Sequence, residues 1–224
     1  MSVLSLQNAS LVFGRNEAAC HALRGVSLEL APGKMTALMG ASGSGKTSLL
    51  NLCAGFVRPT AGRVEVLGRD LAGLDEGALC RLRRSALGFV FQSLNLLPAL
   101  TAQDNVELPL ALNGWSAADR KIRRDELLEL AGLSEKRSRY ADELSAGQQQ
   151  RLAVLRALAH KPKIILMDEP TSCLDSAHAA ELMDLVEELR RREQATVLVA
   201  THDQAVALRA AEVVRLKDGQ VAEG

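Results

Sequence analysis

The chain has 224 residues, enough for a sizeable core, and its 47% hydrophobic but only 3% aromatic content suits an α/β protein packed with Leu, Val and Ala. Lys+Arg and Asp+Glu number 27 each, so the net charge of +0 gives no overall field to draw in a nucleic-acid backbone, and no nucleic-acid partner is expected. No apolar run approaches the roughly 18 residues of a membrane span, and the N-terminus lacks the basic-then-apolar pattern of a signal peptide, so the expected location is the cytoplasm.

Taken in order, the chain opens as antiparallel sheet. Val26, Leu28 and Leu30 alternate with Ser27 and Glu29, Pro32-Gly33 turns the chain, and Ser2 to Phe13 is the expected partner strand. An apolar strand, Met35 to Met39, then runs into Gly40-Ala41-Ser42-Gly43-Ser44-Gly45-Lys46-Thr47, and a helical run, Ser48 to Ala54, follows. This is the pattern G-x-x-x-x-G-K-[ST] in the strand-to-helix context it needs. Its glycines let successive N–H groups turn inward, and the helix adds its positive N-terminal end, so the loop suits a phosphate chain. The candidate nucleotide contacts are Gly40, Ser42, Gly43, Ser44, Gly45, Lys46, Thr47 and Ser48. Lys46 can reach β- and γ-phosphates, and the Thr47 hydroxyl can ligate Mg²⁺.

Gly55 is the expected end of that helix, Pro59 to Gly62 a turn, and Arg63 to Leu67 a further alternating strand. Leu87 to Phe91, Ile164 to Met167 and Val197 to Ala200 are apolar at nearly every residue, the pattern of parallel strands covered on both faces. Each stops at residues with chemistry: Gln92, Asp168-Glu169 and Thr201-His202. Open parallel sheets bind ligands beyond the carboxyl ends of their strands, so these groups should gather with the phosphate loop around one nucleotide.

Between them the texture is helical. Asp119 to Ala131 sets Ile122, Leu127, Leu128 and Leu130 among charges, and Ser145 to Ala159 carries Leu152, Leu155 and Ala159 on one face. Ser176 to Arg192 is a further helix with Leu182, Met183, Val186 and Leu189 inward, and Val213 to Val221 a closing hairpin turned at Asp218-Gly219. No regulatory domain is expected to be appended after that hairpin. The expected division is a core at 1–92 and 160–224 with an inserted helical lobe at 93–159. His21, His160 and His178 are read as ordinary surface or core residues. The four cysteines, Cys20, Cys53, Cys80 and Cys173, have no metal or redox spacing.

Leu144-Ser145-Ala146-Gly147-Gln148 makes a second anion-suited helix start in the same chain. With it the sequence resembles, over essentially its whole length, the nucleotide-binding subunit of an ABC transporter. The family's motifs stand in the family's order: phosphate loop, Q-loop at Gln92, signature at Leu144 to Gln148, acidic strand end at Asp168-Glu169, D-loop at Thr171 to Asp175, and switch histidine at His202. The resemblance implies a P-loop NTPase with a RecA-like parallel-sheet core, an N-terminal antiparallel β subdomain and an inserted α-helical subdomain. It implies ATP and Mg²⁺, with Asp168, Thr47 and Gln92 toward the metal, Glu169 as general base, His202 on the γ-phosphate, and Gln92 orienting water. Ser145, Gly147 and Gln148 would cap the ATP of a second copy in a head-to-tail dimer. Phe13 stands where the family stacks an aromatic on adenine. Ala146 departs from the family's usual glycine, which is harmless only at a helical backbone angle.

The leucines of Leu94 to Leu100, broken by Pro98, suit a groove for a permease helix, where the family docks its membrane partner. This stretch and the short C-terminus resemble the branch of lipoprotein-releasing, macrolide-exporting and cell-division ATPases. Two functions are implied: powering export or extraction through a permease, or driving an extracytoplasmic partner without transport. The implied location is peripheral, on the inner face of the cell membrane. Soluble ABC ATPases with coiled coils or two cassettes fit poorly, as do GTPases, since N-K-x-D is missing.

Overall fold

The computed structural model describes residues 2–14 and 19–222. Strand β1 (Leu4–Phe13) pairs antiparallel with β2 (Cys20–Leu30) on one side and β4 (Ala61–Val66) on the other, with the short β5 (Arg69–Asp70) at the edge. Alternation fixes the buried face: Leu4, Leu6, Val26, Leu28 and Leu30 point into one core while Ser27 and Glu29 face water. The expected strands at either side of the phosphate loop thus belong to one small sheet.

A second, six-stranded sheet has the order β10-β9-β3-β8-β7-β6. Its centre is parallel: β3 (Met35–Met39), β8 (Thr196–Thr201), β7 (Ile164–Asp168) and β6 (Leu87–Val90). Both faces are covered, and successive residues feed different cores. Ile165, Met167, Val197 and Val199 pack on the helical side, whereas Ile164, Leu166, Leu198 and Ala200 pack toward α1 (Lys46–Cys53) and the small sheet. The closing hairpin, β9 (Glu212–Lys217) and β10 (Gln220–Val221), is more than a cap, because β9 joins the main sheet parallel to β3. Helix α1 touches both sheets, burying Leu49, Leu50 and Leu52 between them, and Gly55 ends it at φ 64.

Helix α2 (Glu76–Ala86) has no counterpart in the sequence-based reading. It buries Leu79, Leu82 and Ala86 as one apolar stripe against a strongly polar remainder, an amphipathic pattern that the sequence does carry; Asp75 caps it, accepting from Ala78 N at 2.6 Å. Helices α3 (Ala102–Leu112), α4 (Ala117–Leu130) and α5 (Ala146–Leu158) pack together and start at hydroxyl caps Thr101, Ser116 and Ser145. One inward residue differs from expectation. Ile122 is 68% exposed, because the helix turns Arg123 inward instead, where its guanidinium meets Glu193 at 2.7 Å and the Ala159 carbonyl at 3.2 Å. The long α6 (Ser176–Glu193) buries Leu182, Met183, Val186 and Leu189, and the short α7 (Gln204–Ala207) follows β8.

Candidate active site

The phosphate loop sits where β3 leaves the sheet, and its shape depends on missing side chains. A Cβ on Gly40 would lie 2.4 Å from both the Leu216 carbonyl and Ser44 Oγ; Gly45, the residue before α1, has φ 105 and lies against the Ala22 carbonyl. The tip of the β9–β10 hairpin braces the loop, Gly219 N donating to Ser44 O at 3.0 Å while Arg24 N donates to Gly219 O at 2.8 Å. Residues from β2 and the hairpin therefore fix a loop to which they are distant in sequence.

Above the loop is a cavity of about 850 Å³ lined by Phe13, Ser42, Gly43, Gly45, Lys46, Thr47, Ser48, Gln92, Asp168, Glu169 and His202. The strand ends of β3, β6, β7 and β8 converge on it, as the apolar runs imply. Gly40 and Ser44 belong to the loop but lie off the cavity wall, Ser44 being buried beneath it.

Lys46 and Glu169 form an ion pair in the cavity. Lys46 Nζ donates to the Gly40 carbonyl at 2.8 Å and the Ala41 carbonyl at 3.2 Å, and lies 3.3 Å from Glu169 Oε1. Glu169 Oε2 is 2.9 Å from His202 Nδ1 and also accepts from His202 N at 3.4 Å. Glu169 holds φ 46, a left-handed angle unusual for a non-glycine, fixed by its own N–H donating to the Ala200 carbonyl at 2.9 Å. That twist turns its carboxylate out of the sheet between lysine and histidine.

Asp168, the last residue of β7, is buried with its Oδ1 unpartnered. Burial holds its carboxyl above the usual Asp range, partly offset by a hydrogen bond from the Thr47 hydroxyl; neighbouring Glu169 adds to the rise and Lys46 opposes it. A buried carboxylate oxygen without a partner, beside a hydroxyl at a phosphate loop, fits a small divalent cation that otherwise binds phosphate oxygens and water.

Ser145, Gly147 and Gln148 lie elsewhere. None lines the cavity. Ser145 caps α5 in a reciprocal arrangement, its N–H donating to Gln148 Oε1 at 3.1 Å and its Oγ accepting from Gln148 N at 3.4 Å. Ala146 is the first residue of this right-handed helix, so alanine carries no backbone strain there. A Cβ on Gly147 would meet nothing closer than 3.8 Å, so the fold of a single chain does not demand glycine at that position.

Sequence reasoning missed part of the wall: Cys20, His21, Arg24, Ser172, Asp218 and Gly219 also line the cavity. His21, read as an ordinary residue, is among them. The signal was the hairpin itself, whose register sets Cys20 opposite Phe13 and His21 opposite Val12.

Comparison with known proteins agrees with this geometry. The family model described as ABC transporter matches residues 23–172. The macrolide export ATP-binding/permease protein MacB of Marinobacter nauticus is 42% identical over 221 residues, covering 99% of this chain and 34% of that protein. The chain thus spans about a third of the length of such relatives. The ABC transporter ATP-binding protein YtrE of Bacillus subtilis is 42% identical over 90% of this chain and 87% of its own length. The dimeric structure of a post-hydrolysis state of the ATP-binding cassette MJ0796, bound to ADP and Pi, superimposes with TM-score 0.91 at 39% identity, covering 98% of this chain and 97% of that one. The chain belongs to the ABC transporter family and is an ATP-hydrolysing nucleotide-binding domain of the branch that holds the macrolide-export cassettes.

Proposed function

We propose that two copies of this domain sandwich two ATP molecules head to tail and that hydrolysis drives an export permease on the membrane. The single observation that carries the catalytic reading is Glu169, held at φ 46 between Lys46 at 3.3 Å and His202 at 2.9 Å in the cavity above the phosphate loop. In this reading the loop amides and Lys46 hold the β- and γ-phosphates, and Phe13 stacks on adenine. Water attacks the γ-phosphorus, its proton passes to the Glu169 carboxylate, and the bond to the β,γ-bridging oxygen breaks to release ADP and phosphate. His202 orients Glu169 and bonds the γ-phosphate, and Gln92 orients the water. Asp168, Thr47 and Gln92 are the residues that would hold Mg²⁺. When bound, Mg²⁺ would neutralise phosphate charge.

Ser145, Gly147 and Gln148 stand away from their own chain's cavity, at a capped helix start with its backbone exposed, and supply the closing half of a second copy's site. The dimeric cassette bound to ADP and Pi, and the relatives named as export ATP-binding/permease proteins, support the dimer and the export direction. Among the described residues no helix is long and apolar enough to cross a membrane, so attachment to the inner face of the membrane would come through the permease, with the Q-loop region and helical subdomain as its contact.

The test is Glu169→Gln with ATP. Hydrolysis should fall by roughly a thousandfold, ATP affinity should persist, and an ATP-bound dimer should accumulate in sedimentation. Steady turnover by that variant removes Glu169 as the base, and a monomer at saturating ATP removes the composite site.

A further inference from the structure

The loop after Gln92 is held in a backbone conformation that its residues disfavour, by a group from the helix that begins at Ser145. Leu94 and Asn95 have φ 60 and 49, two consecutive left-handed residues of which neither is glycine. Consecutive residues of this kind turn adjacent carbonyls to the same side. Arg156, about three turns along α5 from Ser145, fills that arrangement: its guanidinium donates to the Leu94 carbonyl at 2.8 Å and to the Asn95 carbonyl. Arg156 is half-buried, and among the described residues these two carbonyls are its hydrogen-bond partners and no carboxylate pairs with it. The far end of the loop is held by the fully buried Asn105 of α3, which accepts from Leu97 N at 3.0 Å and donates to the carbonyls of Leu97, Leu100 and Thr101 at 3.1–3.2 Å. The loop starts at the cavity wall with Gln92 and is otherwise gripped by the helices.

We propose that Arg156 is a positioning residue for hydrolysis. Its two-carbonyl grip makes the loop and α5 move as one piece, so that a displacement at Gln92 on binding the γ-phosphate is delivered to Ser145 and Gly147 at the start of the same helix. The planar fork puts a separate nitrogen on each of the two carbonyls in a fixed geometry, whereas a lysine ammonium would have to serve both from one freely rotating nitrogen. This inference rests on Ser145 and Gly147 completing a second copy's site.

The experiment uses the Glu169→Gln chain, so that ATP is held without turnover, and adds Arg156→Met or Arg156→Lys. Three quantities are read: ATP affinity of the monomer, the ATP concentration at half-dimerisation, and hydrogen exchange at residues 93–97 and 144–149 with and without ATP. With Arg156→Met, monomer affinity should stay within about twofold while the dimerisation midpoint rises roughly tenfold or more, the effect of losing charge-assisted hydrogen bonds. Exchange at 93–97 should quicken, and ATP should no longer slow exchange at 144–149. Arg156→Lys should fall between. An Arg156→Met chain with the parent's midpoint and exchange pattern overturns the inference. Should Arg156→Met fail to fold, Arg156→Lys decides, since parental coupling in it shows that the fork is not needed. A Glu169→Gln parent that never dimerises with ATP overturns the composite-site reading itself, a result separable from an unmoved Arg156→Met in a parent that does dimerise.

Discussion

The phosphate loop's glycines are not equivalent, and alanine at Gly43 and Gly45 separates backbone strain from collision. Both residues are left-handed, at φ 80 and φ 105. A Cβ on Gly43 has nothing within 4 Å, whereas one on Gly45 would lie 2.6 Å from the Ala22 carbonyl and 3.2 Å from Leu23 Cδ2. The left-handed angle costs an L-residue about 1–2 kcal/mol, of which about 0.4–1 is offset because alanine also restricts the unfolded chain. Gly43→Ala should therefore lose about 1 kcal/mol. Gly45→Ala adds an overlap with backbone of β2, which cannot rotate away, and overpacking of this kind costs about 1–3 kcal/mol more. For a domain of this size the expected falls in Tm are roughly 2–4 °C for Gly43→Ala and roughly 4–16 °C for Gly45→Ala. Thermal unfolding followed by circular dichroism, with a fluorescent ATP analogue titrated into each folded variant, makes the comparison. Equal losses at the two positions, or a larger loss at Gly43, refute the steric argument.

Asp168→Asn should raise the Tm of the nucleotide-free chain by a few degrees at pH 7 while abolishing Mg²⁺-dependent hydrolysis, because the folded state raises this carboxyl's pKa and its charged form is the one burial opposes; a lower Tm contradicts it. The same sign makes any stabilisation linked to Asp168 present at acid pH and lost as pH rises through its folded pKa. His160 has the opposite sign: burial lowers its pKa below the usual 6.5, with a bond to the Leu87 carbonyl opposing the shift. Its contribution is present above pH 6.5 and lost as pH falls through the lowered value, so the Tm difference between the native chain and His160→Gln should shrink on acidification, and a constant difference speaks against it. Phe13 is 45% exposed on the cavity wall, so Phe13→Ala should weaken ATP binding about three- to tenfold with little change in Tm and leave inorganic triphosphate binding unaltered. Equal loss for both ligands rules out stacking on the base.

How much of this was legible in the sequence depended on whether a local pattern carried it. The period-two alternation of β2, the continuous apolar runs of β3, β7 and β8, and the glycine spacing of the loop are local, and each matches an element of the structure. Because a strand's end is where its apolar run stops, Gln92, Asp168, Glu169 and His202 could be gathered on one cavity before any coordinates. Helix α2 was legible as well, although it is absent from the expected elements: Asp75 caps it, and Leu79, Leu82 and Ala86 make an apolar stripe against many charges. The inward turn of Arg123 at the expense of Ile122 depended on Glu193 and the Ala159 carbonyl, far along the chain.

The sequence alone determined that a phosphate-loop motif and a second anion-suited helix start coexist in one chain, because both are patterns of residues adjacent in sequence. Only tertiary structure decided how they relate. Packing put β9 beside β3, set the hairpin tip against the phosphate loop, twisted Glu169 to φ 46 between Lys46 and His202, and left Ser145 away from the cavity. These relations arise from contacts between segments separated by scores of residues, and no local pattern encodes the angle at which such segments meet.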